Sequence, residues 1–383
     1  MTSLSTMAAF HCERANSNSW QQFDQFPSEC FMQKSAWLRS AWENYHSQQT
    51  SVTANSLHFL NVTDAEDHVC GQSAWFKQFS RGIGWWRLVG SGQVCSDYVQ
   101  LPSKSGCEQE VAQATAKWFA IQPRKFLEAP VAIEVEGHRE NCATWNSFFD
   151  TLVDRGWTKD SVPVESAWRI QLPEDWKSYE LMLSKSRRRK VRKAIKLNES
   201  GELQFEMADS PDRIAELWPE FVRLHQLRRQ QLGQVGVFAD SNFEKFLRSS
   251  LLNLSEDRSA FIAVVTHQAS PLGMLLVFEH ASTWFIYQSG FDVGRIELEP
   301  GHMVNSLMLR QALNRGVREV DFLRGDEHYK KGWKSNANTL CRTILLPPGL
   351  ASRGISSALK LRRNVKAWLN KNKTTAQEQS DED

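Results

Sequence analysis

The sequence predicts a mixed α/β protein of two tandem lobes, from three observations. The chain has 383 residues, more than one hydrophobic core usually organises. Its 41% hydrophobic and 23% charged residues are typical of a globular protein and argue against a disordered or fibrous one. Both halves alternate strand-like apolar runs with helical patterns, and Pro173 separates them. We therefore expect lobes over residues 16–172 and 173–348.

In the first half, the apolar spacing from Ser28 to Tyr45 predicts a helix, with Ser28 as its N-cap. The other predicted elements are strands at 57–62, 69–76, 84–89, 130–136 and 164–172, and helices at 107–119 and 141–155. Residues 1–15 are expected to form a disordered leader. Residues 349–383 are expected to form a basic helix followed by a disordered acidic tail.

The second half repeats this order with clearer signals. Asp209-Ser210-Pro211 is a strong start for a helix that ends near Gln231. The remaining predictions are helices at 176–197, 241–252 and 301–314, and strands at 203–207, 260–266, 273–279, 283–289, 317–323 and 339–346. The result is a mixed sheet in each lobe, with helices between the strands.

Charge and cysteine content narrow the function classes. The net charge is +2, so a polyanion partner would need a local basic patch. The seven cysteines are scattered, without a CxxC pair, which favours reduced thiols in the cytoplasm and argues against a zinc site. No apolar run of about 18 residues predicts a transmembrane segment, and the N-terminus lacks the pattern of a signal peptide.

The most informative segment is Asp321–Trp333, a glycine-containing loop rich in ionisable groups after a predicted buried strand. A charged turn on the surface would look the same locally. Loops held by a rigid scaffold are also where catalytic groups concentrate. Upstream, Pro300-Gly301 opens a helix whose unpaired amides and dipole suit an anion.

Eight of the twelve residues from Lys185 to Lys196 are Lys or Arg. Helical spacing places Arg187 and Arg188 on the same face as the apolar positions of this helix, so we expect one of them, with Ser184, to point into a cleft. An inward-facing arginine needs an anionic partner, which predicts a bound phosphate or carboxylate. Arg189, Lys190, Lys193 and Lys196 are expected to face water.

The chain resembles the CelD-like and FemAB-like branch of the GNAT acyltransferase superfamily. The matching pieces, which cover residues 180–345, are Leu183-Ser184 with Arg187, Arg188 and Arg192; Leu224-His225 with Arg228, Gly233 and Phe238; Tyr287 to Asp292; Glu299-Pro300-Gly301; and Asp321 to Lys330. The order of strands and helices in the second half also resembles that fold. The phrase Arg295 to His302 departs from the family's usual phosphate-binding motif.

The resemblance implies an N-acyltransferase that uses acyl-CoA, such as acetyl-CoA, as co-substrate, without a metal. It implies catalytic roles for Tyr329 as acid, Asp326 or Glu327 as base, and His225. Pro300, Gly301 and His302 are expected to bind the cofactor. Substrate-binding residues are expected to be Arg187, Arg188, Arg228, Tyr287, Arg324 and Lys330. The acceptor is expected to be an amine, free or linked to a sugar, in cell-envelope or exopolysaccharide biosynthesis.

Two alternatives stay open at this stage. One is aminoacyl transfer from aminoacyl-tRNA, although the sequence offers no room between Leu252 and Asp257 for the helical hairpin of relatives that grip tRNA. The other is a non-enzymatic nucleic-acid-binding or scaffold protein that uses the basic helices. The acceptor and the oligomeric state are left undetermined by the sequence.

Overall fold

The computed structural model describes residues 10–15, 20–80, 82–122, 131–325, 328–349, 352, 354, 355 and 357. Its strands are β1 (His11–Arg14), β2 (Val52–Thr63), β3 (Val69–Ser80), β4 (Ile83–Leu88), β5 (Val131–Arg139), β6 (Thr158–Gln171), β7 (Leu203–Ala208), β8 (Ala260–His267), β9 (Ser270–His280), β10 (Thr283–Phe291), β11 (Glu319–Arg324) and β12 (Asn336–Leu346). Its helices are α1 (Ser35–Asn44), α2 (Glu108–Ala120), α3 (Ala143–Val153), α4 (Trp176–Met182), α5 (Lys185–Glu199), α6 (Pro211–Gln231), α7 (Ser241–Ser255), α8 (Pro300–Asn314) and α9 (His328–Lys331).

The strands form one twelve-stranded mixed sheet in the order β1-β2-β3-β4-β5-β12-β6-β11-β10-β9-β8-β7. Each half contains an antiparallel meander whose last strand pairs in parallel with the next one, β4 with β5 and β10 with β11. The final strands are exchanged: β12 of the second half pairs with β5, and β6 of the first half pairs with β11. The predicted fold class, a mixed α/β protein with two tandem lobes of this kind, is confirmed.

Side-chain alternation in the second half explains its layers. Along β8, Ile262 and Val264 pack in the cluster that contains α6 and α7, whereas Phe261, Ala263 and Val265 pack in the cluster that contains α5 and α8. Because successive residues of a strand point to opposite faces, this sheet is apolar on both sides and is covered by helices on both. The arginine-bearing helix α5 and the helix α8, which begins at Pro300-Gly301, therefore lie in the same layer.

The structure corrects three local predictions. His11–Arg14, expected to be part of a disordered leader, pairs with β2 as an edge strand. The helix predicted from Ser28 begins at Ser35, after a 3₁₀ turn, because Lys34 is extended and the Ser28 hydroxyl contacts His280 instead of capping. The expected helix over 176–197 is interrupted.

The interruption separates α4 from α5 at Leu183 and Ser184, both of which have extended backbone. The Ser184 hydroxyl accepts a hydrogen bond from Arg187 N–H at 3.2 Å, which is the geometry of an N-cap and starts α5 afresh. The predicted basic helix near residue 355 and the acidic tail fall almost entirely outside the described residues. Among the helices that the structure describes, none is both long and apolar enough to cross a bilayer.

Candidate active site

A cavity of about 360 Å³ lies between the end of β10, the start of α8 and the segment after β11. This volume is in the range of small-molecule sites. Its lining residues are Arg187, Arg228, Phe291, Ile296, Glu299, Pro300, Gly301, His302, Asn305, Tyr329 and Trp333. Six residues that the sequence singles out therefore meet here, from α5, α6, α8 and α9.

The parallel strands β10 and β11 make room for this cavity. They pair only over Thr283–Phe285 and Glu319–Asp321. Immediately beyond, the pairing of β10 with β9 shifts register between Ile286 and Gln288. β10 and β11 are therefore unpaired toward their carboxyl ends, where Phe291 and the segment carrying Tyr329 line the cavity.

The amino end of α8 forms one wall of the cavity. Glu299 is left-handed, with φ of 53°, and its carbonyl oxygen accepts from the N–H groups of His302 and Met303. A Cβ at Gly301 would lie 3.2 Å from the Phe291 ring, so a side chain there would press on that ring. The positive end of the helix dipole therefore faces the cavity without an intervening side chain at Gly301.

Arg187 supplies a half-buried cation beside this helix end. Its guanidinium lies 4.6 Å from the centre of the Trp333 ring, and Nη1 lies 2.8 Å from Nε2 of His302. A Cβ at Gly332 would fall 2.1 Å from Arg187 Nη2, so the glycine is what allows this placement. Among the described residues, no carboxylate forms an ion pair with Arg187.

Burial and charge set the protonation of these groups. Burial lowers the pKa of Arg187, although the group stays charged. Burial, followed by the nearby charge of Arg187, lowers the pKa of His302 to about 4. His302 is therefore neutral at physiological pH, and the cavity keeps a net positive wall that suits a phosphate or carboxylate.

The cavity is also lined by aromatic rings, among them that of the predicted Tyr329. The guanidinium of Arg228 lies 4.5 Å from the centre of the Phe291 ring. Tyr329 is 40% exposed, and its ring lies 6.2 Å from that of Phe322 at the end of β11. A phenol in this position is able to donate a proton to a group bound in the cavity.

Five other predicted site residues that the structure describes are not among those that line the cavity: Arg188, Tyr287, Arg324, Lys330 and His225. Arg188 Nε donates to Glu180 O and its Nη2 to Leu181 O, both at 3.1 Å, so it caps the carboxyl end of α4. Tyr287 is part of the lobe interface: its hydroxyl donates to Val94 O at 2.8 Å. The sequence placed Arg187 and Arg188 on one face of the helix, and it could not show that the break at Leu183 and Ser184 directs Arg188 to the end of α4.

Arg324 and Lys330 are also engaged inside the protein. Arg324 pairs with buried Asp97 of the first lobe and with Glu136 at 3.1 Å. The Lys330 ammonium is buried and donates to four backbone carbonyls, those of Phe322, Leu323, Arg324 and Gly325, at 3.0–3.3 Å. Both cations therefore hold the loop after β11 in shape.

His225 packs beneath the sheet rather than in the cavity lining. It is buried, its Nε2 lies 3.1 Å from Gln288 Oε1, and burial lowers its pKa to about 4. It positions α6 against β10, where Gly290 allows close approach to His225 N. Asp326 and Glu327, the predicted bases, lie outside the described residues.

Sequence reasoning missed several residues of the site. Phe291, Asn305 and Trp333 line the cavity, and the Trp333 ring packs against the Arg187 guanidinium. The sequence-based prediction assigned none of the three to the site. Asn305 follows Gly301 by four residues on α8, so helical spacing could have found it. Phe291 and Trp333 resemble ordinary core aromatics, and no local signal separates them from such residues.

Comparison with known proteins places this cavity in a recognised domain. Residues 185–331 match the family model described as an acetyltransferase (GNAT) domain. A structure of FemX superposes with a TM-score of 0.59 at 12% identity, covering 86% of this chain and 96% of FemX. A conserved protein of unknown function from Bacteroides thetaiotaomicron superposes with a TM-score of 0.50 at 8% identity, covering 81% of this chain and 89% of that one. No curated protein matches the sequence significantly.

Proposed function

We propose that this protein, a GNAT-superfamily acyltransferase of the FemAB-like kind, transfers an acyl group from a CoA thioester to an amine in the Arg187–Tyr329 cavity. Acetyl-CoA is the simplest donor of this class. The observation that carries the proposal is the half-buried Arg187 beside the open amino end of α8, inside a matched acetyltransferase domain. Helix amino ends and arginines are both favourable partners for phosphate groups.

Different residues of the cavity would bind the donor and the acceptor. The amides of the first turn of α8, near Pro300, Gly301 and His302, would hold the donor's phosphates together with Arg187. Arg228 and Phe291 also line this cavity and would contact the acceptor. The usual arginine of the phosphate motif does not contribute: Arg295 Nε pairs with Asp292 at 2.6 Å.

The reaction would proceed by direct attack. The neutral amine forms a bond to the thioester carbonyl carbon, the C–S bond breaks, and the leaving thiolate takes the proton of Tyr329. The attacking nitrogen then gives up its extra proton, which restores the Tyr329 phenol and leaves a neutral amide. The proton lost by the ammonium form of the acceptor would go to Asp326 or Glu327. Direct attack needs no nucleophilic side chain, because both reactants are held together in a ternary complex.

The acceptor class and the location follow as further parts of the proposal. We expect a small amine or a sugar-linked amine, in keeping with the exopolysaccharide and envelope roles that the CelD-like resemblance implies. All seven cysteines are free thiols, which supports a cytoplasmic location, since oxidising compartments favour disulfides.

A second candidate donor is aminoacyl-tRNA, which the resemblance to FemAB-like proteins implies. Only residues 256–259 separate α7 from β8. There is therefore no helical hairpin at that place for gripping tRNA, and we rank this donor second.

A thermal-shift experiment on the full chain separates the two donors. Acetyl-CoA and CoA should raise the melting temperature by several degrees, because a ligand that binds only the folded state stabilises it. Arg187→Ala should abolish the shift, whereas Arg188→Ala, which changes only the cap of α4, should keep it. A shift with aminoacyl-tRNA and none with CoA thioesters would replace the first donor by the second.

A further inference from the structure

Exposed apolar side chains concentrate around the mouth of the cavity. Nine large apolar side chains are exposed among the described residues, and six of them belong to four segments at or beside the cavity. The six are Leu181, Met182, Leu232, Val235, Ile296 and Tyr329. Chance scatter over two lobes would not gather them, and clustered exposed apolar residues mark a contact surface.

Contacts place the four segments next to the cavity. Ile296 and Tyr329 line it directly. Leu232 N–H donates to the carbonyl of Arg228, which also lines the cavity, and Gln226 Nε2 donates to Val235 O at 3.1 Å. These bonds fold the 232–235 loop back on the end of α6.

The fourth segment is the end of α4. Leu181 and Met182 are 62% and 44% exposed and precede α5, whose first turn brings Arg187 to the cavity. The hydroxyl of Tyr179 donates to Trp333 O at 2.9 Å, which fixes α4 beside the cavity wall. The apolar rim thus continues from α4 to the tip of α6.

A stripe of positive charge adjoins this rim. On α5, Lys185, Arg189, Lys193 and Lys196 are exposed and recur at helical spacing on the side away from the core residues Val191 and Ala194. None of the four forms an ion pair with a described carboxylate. The exposed Glu297 is an acidic residue of the same rim.

We infer that this face, the apolar rim with the basic stripe of α5, docks on an anionic lipid bilayer. Apolar side chains insert at the boundary between headgroups and acyl chains, and lysine and arginine attract anionic lipids. A nucleic acid would use the basic stripe but has no partner for exposed Leu232 and Val235. The docking places the cavity mouth at the membrane surface, where a lipid-linked acceptor would reach it.

Co-sedimentation of the full chain with vesicles tests this inference without any acyl donor, so it is independent of the proposed reaction. Vesicles of phosphatidylcholine with about one-third phosphatidylglycerol should bind at least tenfold more tightly than pure phosphatidylcholine. Leu232→Ser with Val235→Ser, and separately Lys185→Glu with Arg189→Glu, should each weaken binding about tenfold or more.

The first lobe offers matched controls. Phe79→Ser removes an equally exposed apolar side chain (58%), and Lys117→Glu reverses an exposed charge on α2; both should leave vesicle binding unchanged. Three results would overturn the inference: absence of vesicle binding, equal losses in the control variants, or tRNA binding abolished by Lys185→Glu with Arg189→Glu while vesicles stay unbound.

Discussion

In the first lobe, β4 and β5 pair over four residues, Gly84–Arg87 and Val131–Glu134; in the second, β10 and β11 pair over three. Beyond the paired residues of β4 and β5, the segment that contains Val99 lies beside β5, and Val99 N–H donates to Gly137 O at 3.2 Å. Trp145 then donates to Val99 O at 2.7 Å. Beyond the second pair lies the cavity. The gap between diverging parallel strands is filled by protein in the first lobe and remains an open cavity in the second.

The segment that fills the first lobe also supports the second. Tyr98 donates to the buried Asp321 carboxylate at 2.6 Å, and Asp97 pairs with Arg324, the last residue of β11. Arg169 of β6 reaches the same Asp321 at 2.8 Å. The first lobe therefore acts as a buried support for β11, the strand that precedes Tyr329 of α9, which gives it a structural role.

The largest effect should come from breaking this support. Arg324→Met leaves Asp97 buried without its ion-pair partner, and removing one member of a buried pair costs about 3–5 kcal/mol. Urea unfolding should show that loss in the free energy of unfolding. A loss below about 1 kcal/mol would mean that the two lobes are coupled in some other way.

Tyr329→Phe tests the cavity of the second lobe, the open cleft. Loss of a general acid lowers the rate by roughly 10²–10⁴-fold, with little change in the KM of the donor. Steady-state kinetics should compare it with Tyr287→Phe, which removes a hydroxyl at the lobe interface and should keep kcat within about threefold. Equal losses in both variants would contradict the assignment of Tyr329.

Gly137→Ala tests the filled cleft. Gly137 has φ of +84°, and a Cβ there would lie 2.3 Å from Ser96 O. Strain in this region costs about 1–3 kcal/mol, which thermal unfolding should detect. Donor KM should stay unchanged if the first lobe only supports the second. A large rise in KM would indicate a ligand site in the first lobe.

The pH dependence of stability offers a smaller effect. Burial, with a contribution from Arg87, lowers the pKa of His46 to about 3, and its Nε2 accepts from Gly90 N–H at 3.1 Å. The unfolded histidine titrates near 6.5, so its contribution is complete above that pH and is lost as the pH falls toward 3. When the pH falls from 7 to 5, the free energy of unfolding of His46→Gln should fall by about 1–2 kcal/mol less than that of the parent. An identical slope would contradict a neutral His46.

Local patterns predicted the parts of the site that depend on sequence neighbours. Pro300-Gly301 marks a helix start, and α5 turns Arg187 inward, as its spacing indicated. Residue type alone could not assign Arg324 or Lys330. Their partners depend on the loop conformation and, for Arg324, on a residue 227 positions away.

Long-range pairing also limited the prediction of the fold. Element order indicated two similar lobes, but the exchange of β6 and β12 depends on which strand reaches the sheet centre. That choice depends on tertiary packing, which the strand propensity of a segment does not determine. The filled cleft of the first lobe, built from Ser96–Val99, could not be read from a segment without regular periodicity.

Calorimetric titration of acetyl-CoA tests the central claim most directly, since it counts sites as well as measuring affinity. We expect one site per chain, with affinity lowered about tenfold or more in Arg187→Ala, because charged hydrogen bonds are worth about 1.5–3 kcal/mol. Arg188→Ala should bind as the parent does. Two sites per chain, or unchanged affinity in Arg187→Ala, would contradict the account of one open and one filled cleft.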